Sequence, residues 1–234
     1  MKNIIDIKNI SLKISTINKN ILFNINCEIK KNDFVILLGT NGSGKSSLLK
    51  CLDGRYTPTS GEIILNDLPL KNHFKKGIKT ITQNTNDSLF TTLTIKEHFL
   101  LIKNKNDSIE SFKKHLEIFN KKLIGKLNQT VEKLSGGEKQ ALILSLIFLH
   151  PPKILLLDEH TSALDPVSSE SLMNITNNMI KKHKITCIMT THDLSIAKKY
   201  GNRIIAMKDG TINSTINNQE KYDIKNETLK EKCY

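Results

Sequence analysis

The 234-residue chain contains no tryptophan, and aromatic residues make up only 5% of it. So few rings cannot interleave with basic side chains into a base-stacking surface. Long apolar runs are also missing. The most apolar stretch, Ala141 to Leu149, is interrupted by Ser145 and stopped by His150-Pro151-Pro152, far short of the ~20 residues a membrane span requires. The first residues, Met1-Lys2-Asn3-Ile4-Ile5-Asp6, lack the apolar core of a signal peptide. Cys27, Cys51, Cys187 and Cys233 show neither paired spacing nor a neighbouring histidine pattern, which speaks against a zinc site or disulfide framework and suits a reducing cytosol. There is no internal repeat and no Gly/Ser- or Pro-rich linker.

Lysine is what the chain has in excess. With 35 Lys and Arg against 23 Asp and Glu, the formal net charge is +12. Clustered cations of that number mark nucleic-acid or anionic-membrane partners. Here they are scattered, in doublets such as Lys75-Lys76, Lys121-Lys122 and Lys181-Lys182, so the charge reads as a solvated basic surface and no nucleic-acid partner is expected. The apolar fraction of 38% and charged fraction of 25% are near the globular norm, and the length suits one large domain with a lobe inserted.

Ile5, Ile7 and the stretch Ile21 to Ile29 alternate with polar residues, which predicts half-exposed strands of an antiparallel sheet. Phe34 to Leu38 is instead continuously apolar, as are Ile154 to Leu157 and Ile185 to Met189. Such runs predict strands buried on both faces of a parallel sheet, and the helix-like stretches around Pro166 to His183 and Asp193 to Tyr200 complete an α/β alternation. Between Ser88 and Leu149 the period becomes helical, through Ile95, Phe99, Ile102 and then Phe112, Leu116, Phe119. The expected organisation is an α/β core over 1–87 and 150–210 carrying an N-terminal antiparallel β subdomain, with a helical subdomain inserted over about 88–149. A polar C-terminal tail over 211–234 is expected to begin with one edge strand.

Directly after the first buried strand, Gly39-Thr40-Asn41-Gly42-Ser43-Gly44-Lys45-Ser46 fits G-x-x-x-x-G-K-[ST] in full, with helix-competent Ser47-Leu48-Leu49-Lys50 behind it. Glycines let the backbone wrap phosphates, the helix start faces the anion, Lys45 reaches the outer phosphates, and Ser46 can ligate Mg2+. At the end of the strand Ile154 to Leu157, Asp158 is placed to hold the magnesium and Glu159 to act as general base on an attacking water. Between these motifs, Leu134-Ser135-Gly136-Gly137-Glu138-Lys139-Gln140 opens an apolar helix capped by Ser135, a second helix start able to bind an anion. The fold class is therefore a P-loop NTPase core of mainly parallel sheet, with ATP and Mg2+ as its cofactors.

With these residues in place, the sequence resembles the nucleotide-binding subunits of ATP-binding-cassette transporters over nearly its whole length. The resemblance implies that Leu134 to Gln140 is the family's signature motif. It implies that Gln83 contacts magnesium and the attacking water and signals to a membrane subunit. His192 would contact the γ-phosphate, and Ser162-Ala163-Leu164-Asp165 would cross to a partner subunit. Two subunits, identical or not, would stack head to tail, so that Gly39 to Ser47 of one and Ser135, Gly136 and Gly137 of the other enclose each ATP. An integral membrane permease, with or without an extracytoplasmic solute-binding protein, would complete an importer at the cytoplasmic face of the plasma membrane.

Three positions depart from the family pattern. Ile14 stands where an aromatic ring usually stacks on adenine, Glu138 where glutamine is commoner, and His160 where proline is usual. The run Leu155 to Pro166, with no arginine after Gln140, is similar to a bacterial branch of uptake systems named for tryptophan and tyrosine. Two other classes are weighed against transport. Soluble cassette ATPases of chromosomes separate the two halves of the site by a long coiled coil, and those of ribosomes usually fuse two cassettes; this chain has one, with Lys45 and Asp158 only 113 positions apart. A kinase or GTPase sharing only the phosphate loop would leave Gln83, Ser135 and His192 without a purpose.

Overall fold

A computed structural model describes residues 2–14, 18–70, 77–218, 220, 227 and 231. The Lys75-Lys76 doublet, Cys233 and most of the polar stretch past residue 217 lie outside the described residues. In chain order the elements begin with β1 (Asn3–Ile14), β2 (Lys19–Lys30), β3 (Phe34–Leu38), α1 (Lys45–Leu52), β4 (Ser60–Leu65), β5 (Leu68–Pro69) and β6 (Ile78–Ile81). Three helices follow, α2 (Ile95–Ile102), α3 (Ile109–Asn120) and α4 (Gly136–Leu149). The chain then runs through β7 (Ile154–Asp158), α5 (Pro166–His183), β8 (Thr186–Thr191), α6 (Leu194–Tyr200), β9 (Arg203–Lys208) and β10 (Thr211–Asn217).

These elements form two compact units. The first comprises residues 1–80, 153–158 and 185–234 and the second residues 81–152 and 159–184. In the first unit, one sheet has the order β2-β1-β4-β5 and is antiparallel throughout. The alternation along β1 is interrupted at Asn9. Asn9 adopts φ 52, and the register shifts between Ile7 and Ile10, so both isoleucines turn inward although three residues apart. Asparagine tolerates that left-handed conformation better than a branched side chain does.

The second sheet has the order β10-β9-β3-β8-β7-β6. Its centre is parallel, with Ile36 opposite Met189 on β8 and Ile204 on β9, and Leu156 on β7 opposite Ile188. Every residue of β3, β7 and β8 is buried, as continuous apolar runs demand of strands covered on both faces. Val35, Leu37, Leu156, Ile188 and Ile205 pack with Leu48, Leu49 and Leu52 of α1 and with Ile25 and Ile29 of β2. Each such side chain contributes about 1.5–3 kcal/mol on leaving water. This packing fixes the carboxyl ends of β3, β7 and β8, where α/β sheets present their functional loops. β10 is the expected edge strand, paired antiparallel to β9.

The second unit is helical. Thr94 and Glu97 close a capping box at the start of α2, and Ser108 and Ser111 do so at α3. Phe112, Leu116 and Phe119 line the buried face of α3; the Phe112 ring stacks on Phe99 at 4.9 Å and Phe119 on Phe148 of α4 at 5.6 Å. The inward stripe of α2 ends at Phe99, because Ile102 is 38% exposed. α5 starts on an Asp165 cap with Pro166 in the first turn and stops at Lys184 in the left-handed region.

Candidate functional site

The loop between β3 and α1 turns on two glycines, Gly42 at φ 85 and Gly44 at φ 98, backbone conformations that side chains with a Cβ resist. Gly39 is required for a different reason. A Cβ there would lie 2.2 Å from the Met207 carbonyl of β9 and 2.7 Å from Ser43 Oγ. The loop is braced again where the Gly210 amide donates to the Ser43 carbonyl at 3.1 Å. Lys45, 4% exposed, curls back so that its Nζ donates to the carbonyls of Gly39 and Thr40, each at 2.8 Å. Thr40, Asn41 and Gly42 form the outer, more exposed part of the loop. Ser43 Oγ is buried without a hydrogen-bond partner, a polar atom available to a ligand. α1 carries no acidic residue in its first turn, so nothing within it neutralises the partial positive charge of its N-terminus.

Behind the loop, three elements converge on one carboxylate. Asp158, at the last position of β7 and 8% exposed, accepts from Ser46 Oγ at 2.8 Å and from Thr190 Oγ1 of β8 at 2.7 Å, both on Oδ1. A buried carboxylate must be met by such donors to remain charged. The carboxylate and the Ser46 hydroxyl are oxygen donors of the kind that a hard cation such as magnesium takes. Ser47 follows in α1, half-buried. After β8, Asp193 caps α6 through the amides of Ser195 and Ile196 and donates its own amide to Thr191 Oγ1, which fixes the turn that leaves His192 exposed. Ile14 ends β1, half-buried and paired with Lys19.

The other predicted site residues belong to the second unit. Gln83 is exposed, and its Nε2 donates to Ser162 Oγ at 3.4 Å, which joins the glutamine turn to the Ser162–Asp165 loop. Glu159 holds φ 44 and its carbonyl accepts from the Ser162 amide at 3.0 Å. A left-handed glutamate is a strained backbone position of the kind that collects at functional turns. Ser135 caps α4 and accepts from the Glu138 amide; Ser135 and Gly136 are exposed and Gly137 is half-buried.

Two residues of this surround, Thr190 and Lys126, were not singled out from sequence, and the burial of His160 and the bond that Gln140 makes to it were not foreseen. Thr190 gave no signal, because a threonine in a buried strand reads as ordinary β-propensity. Gln140, 3% exposed, donates through Nε2 to the His160 carbonyl, tying α4 to the turn after Glu159. His160 is itself 2% exposed and neither ring nitrogen has a partner; burial depresses its pKa to about 4, so the imidazole is neutral. Lys126 pairs with Glu138 at 2.5 Å across 12 positions of sequence, a separation no short motif reports.

A glycine-turned phosphate loop, a buried lysine within it and an acidic strand end bound to the loop's serine define a P-loop nucleotide-hydrolysing protein. Residues 22–162 match the family model described as ABC transporter, and the chain belongs to that family as an ATP-binding subunit and ATPase. It is 32% identical over 226 residues to the tyrosine transport ATP-binding protein of Clostridioides difficile (strain R20291), with 89% of each chain covered. Among solved structures it is similar to cbiO1 from Clostridium perfringens, part of the ABC transporter complex cbiONQ. The TM-score is 0.78 at 25% identity, covering 99% of this chain and 94% of that one. It is also similar to the dimeric post-hydrolysis state of the ATP-binding cassette MJ0796 bound to ADP and Pi, at TM-score 0.76 and 26% identity, covering 92% of this chain and 98% of that one.

Proposed function

We propose that the protein powers solute uptake by closing as a head-to-tail pair around ATP and driving a membrane permease. The observation that carries this reading is the joining of Ser46 and Thr190 on Asp158 beneath the phosphate loop. In it, Gly39 to Ser47 hold the triphosphate, Ile14 touches the adenine, and Ser46, Asp158 and Gln83 hold magnesium, which neutralises phosphate charge when bound. Glu159 takes the proton of the attacking water and His192 contacts the outer phosphate. Ser135, Gly136 and Gly137 serve the ATP of the second subunit, whether that subunit is identical or not. The dimeric form of the MJ0796 cassette supports the pairing.

Phe90, Leu100 and Leu101, exposed at 64%, 48% and 61%, lie in the helical subdomain of about 88–149 and are apolar side chains that a permease segment would cover. Membership of cbiO1 in a transporter complex supports such a partner. No helix among the described residues is long and apolar enough to cross a membrane. In this reading the permease holds the subunit at the cytoplasmic face. An extracytoplasmic solute-binding protein completes the uptake assembly.

The test is Glu159→Gln in the purified chain. ATP binding persists, turnover is lost, and size-exclusion chromatography shows an ATP-dependent dimer. Lys45→Ala in that background abolishes the dimer. Turnover at the wild-type rate in E159Q, or a dimer indifferent to ATP, would overturn the reading.

A further inference from the structure

Glu138 raises a difficulty for the helix start it sits in. Its carboxylate belongs to the first turn of α4, where Oε2 accepts from the Ser135 amide at 3.1 Å and completes the capping box. An anion there suits the helix itself. On the reading just proposed, the same helix start must also receive the phosphate charge of an ATP held by another subunit, and a second anion in the first turn opposes that.

The structure contains the remedy. Lys126 Nζ donates to Glu138 Oε1 at 2.5 Å, with the glutamate side chain 12% exposed and the lysine 32%. Burial by itself raises the Glu138 pKa, but Lys126 and the Ser135 amide prevail and hold it below the usual carboxylate range. Nor is Lys126 a loose surface cation. It closes the 3₁₀ turn Lys121–Lys126, its carbonyl accepts from the Gln129 amide at 2.8 Å, and the next residue, Leu127, accepts from Lys96 at the start of α2 at 2.9 Å. A pair held from two anchored segments keeps its geometry at little entropic cost, unlike an exposed ion pair.

We propose that Lys126 is a positioning residue for ATP-driven closure: it neutralises Glu138 so that the Ser135–Gly137 helix start can accept the phosphates of the opposing nucleotide. A glutamine at 138 closes the same capping box without charge and removes the need for the lysine. Glu138 and Lys126 together do what a neutral side chain does alone.

The inference rests on the head-to-tail reading, so its test is run in the E159Q background, where ATP-dependent dimers accumulate. The readout is the ATP concentration giving half-maximal dimer, with nucleotide binding to the monomer followed separately by a fluorescent ATP analogue. Lys126→Met raises that concentration about tenfold, the scale of one uncompensated charge at a partly buried site, while monomer binding stays put. Lys126→Arg restores it, and so does adding Glu138→Gln to Lys126→Met, to within about twofold. A merely structural lysine predicts the opposite: a defect that persists with Glu138→Gln and tracks a lowered melting temperature. That result, or an unshifted midpoint in Lys126→Met, overturns the role given to Lys126. If E159Q itself forms no ATP-dependent dimer, the head-to-tail reading fails and this inference falls with it.

Discussion

The carboxylate of Asp158 is the most exacting element of the site, and Thr190→Val isolates one of its supports. Valine has the shape of threonine and suits a buried strand, so the change deletes the 2.7 Å hydroxyl donor on Oδ1 with little cavity. Hydrogen bonds to charged groups are worth about 1.5–3 kcal/mol. At about 2.1 cal/mol/K per residue, a chain of 234 residues has an unfolding entropy near 0.5 kcal/mol/K. Thr190→Val therefore lowers the melting temperature by about 3–6 °C in calorimetry of the nucleotide-free protein at neutral pH. Ser46 Oγ remains on the same oxygen at 2.8 Å and cushions the loss. Thr190→Val combined with Ser46→Ala leaves Oδ1 with neither hydroxyl, so the double variant falls further than the sum of the singles. A Thr190→Val protein melting within 1 °C of wild type, or a strictly additive double, would refute the view that the two hydroxyls share one buried charge.

Two further outcomes follow from packing and burial. Gly39→Ala forces a Cβ to within 2.2 Å of the Met207 carbonyl, so it destabilises by several kcal/mol and displaces the loop; Gly42, whose Cβ would meet nothing within 4 Å, loses only the roughly 1–2 kcal/mol of a left-handed backbone when changed to alanine, and urea midpoints should rank the two accordingly. Burial, partly offset for Cys27 by the Arg203 charge, pushes the Cys27 thiol up to about 11 and the Cys51 thiol up to about 12, and raises Cys187 well above its usual value. All three then stay protonated at pH 8 and react slowly with iodoacetamide in the native protein, Cys27 gaining as the pH rises toward 11; rapid native labelling of any of them by mass spectrometry contradicts this.

What was legible from sequence is what short periodicities and fixed spacings encode. Phe34 to Leu38, Ile154 to Leu157 and Ile185 to Met189 announced buried parallel strands because, Thr186 apart, every residue in them is apolar. The phosphate loop was legible because its glycines and lysine must occur at set intervals. Pairs brought together by the fold were not: Thr190 with Asp158, Lys126 with Glu138 and Gln140 with His160 join positions 32, 12 and 20 residues apart, and no local pattern links them. Boundaries shifted for physical reasons too. The strand expected over Ile185 to Met189 runs from Thr186 to Thr191, because parallel pairing with β3 continues through its threonines to Leu38. Ile102 matched the helical period of α2 but falls where that helix ends.

The posture of Lys45 has a consequence for nucleotide binding. Its ammonium donates to the carbonyls of Gly39 and Thr40, so the side chain cross-braces the loop that its own backbone closes. Two loop carbonyls are thereby satisfied from within the chain, and the cation is held in place by the turn it serves. A nucleotide that meets this loop meets a cation already positioned, and little of the binding energy goes into ordering the lysine side chain.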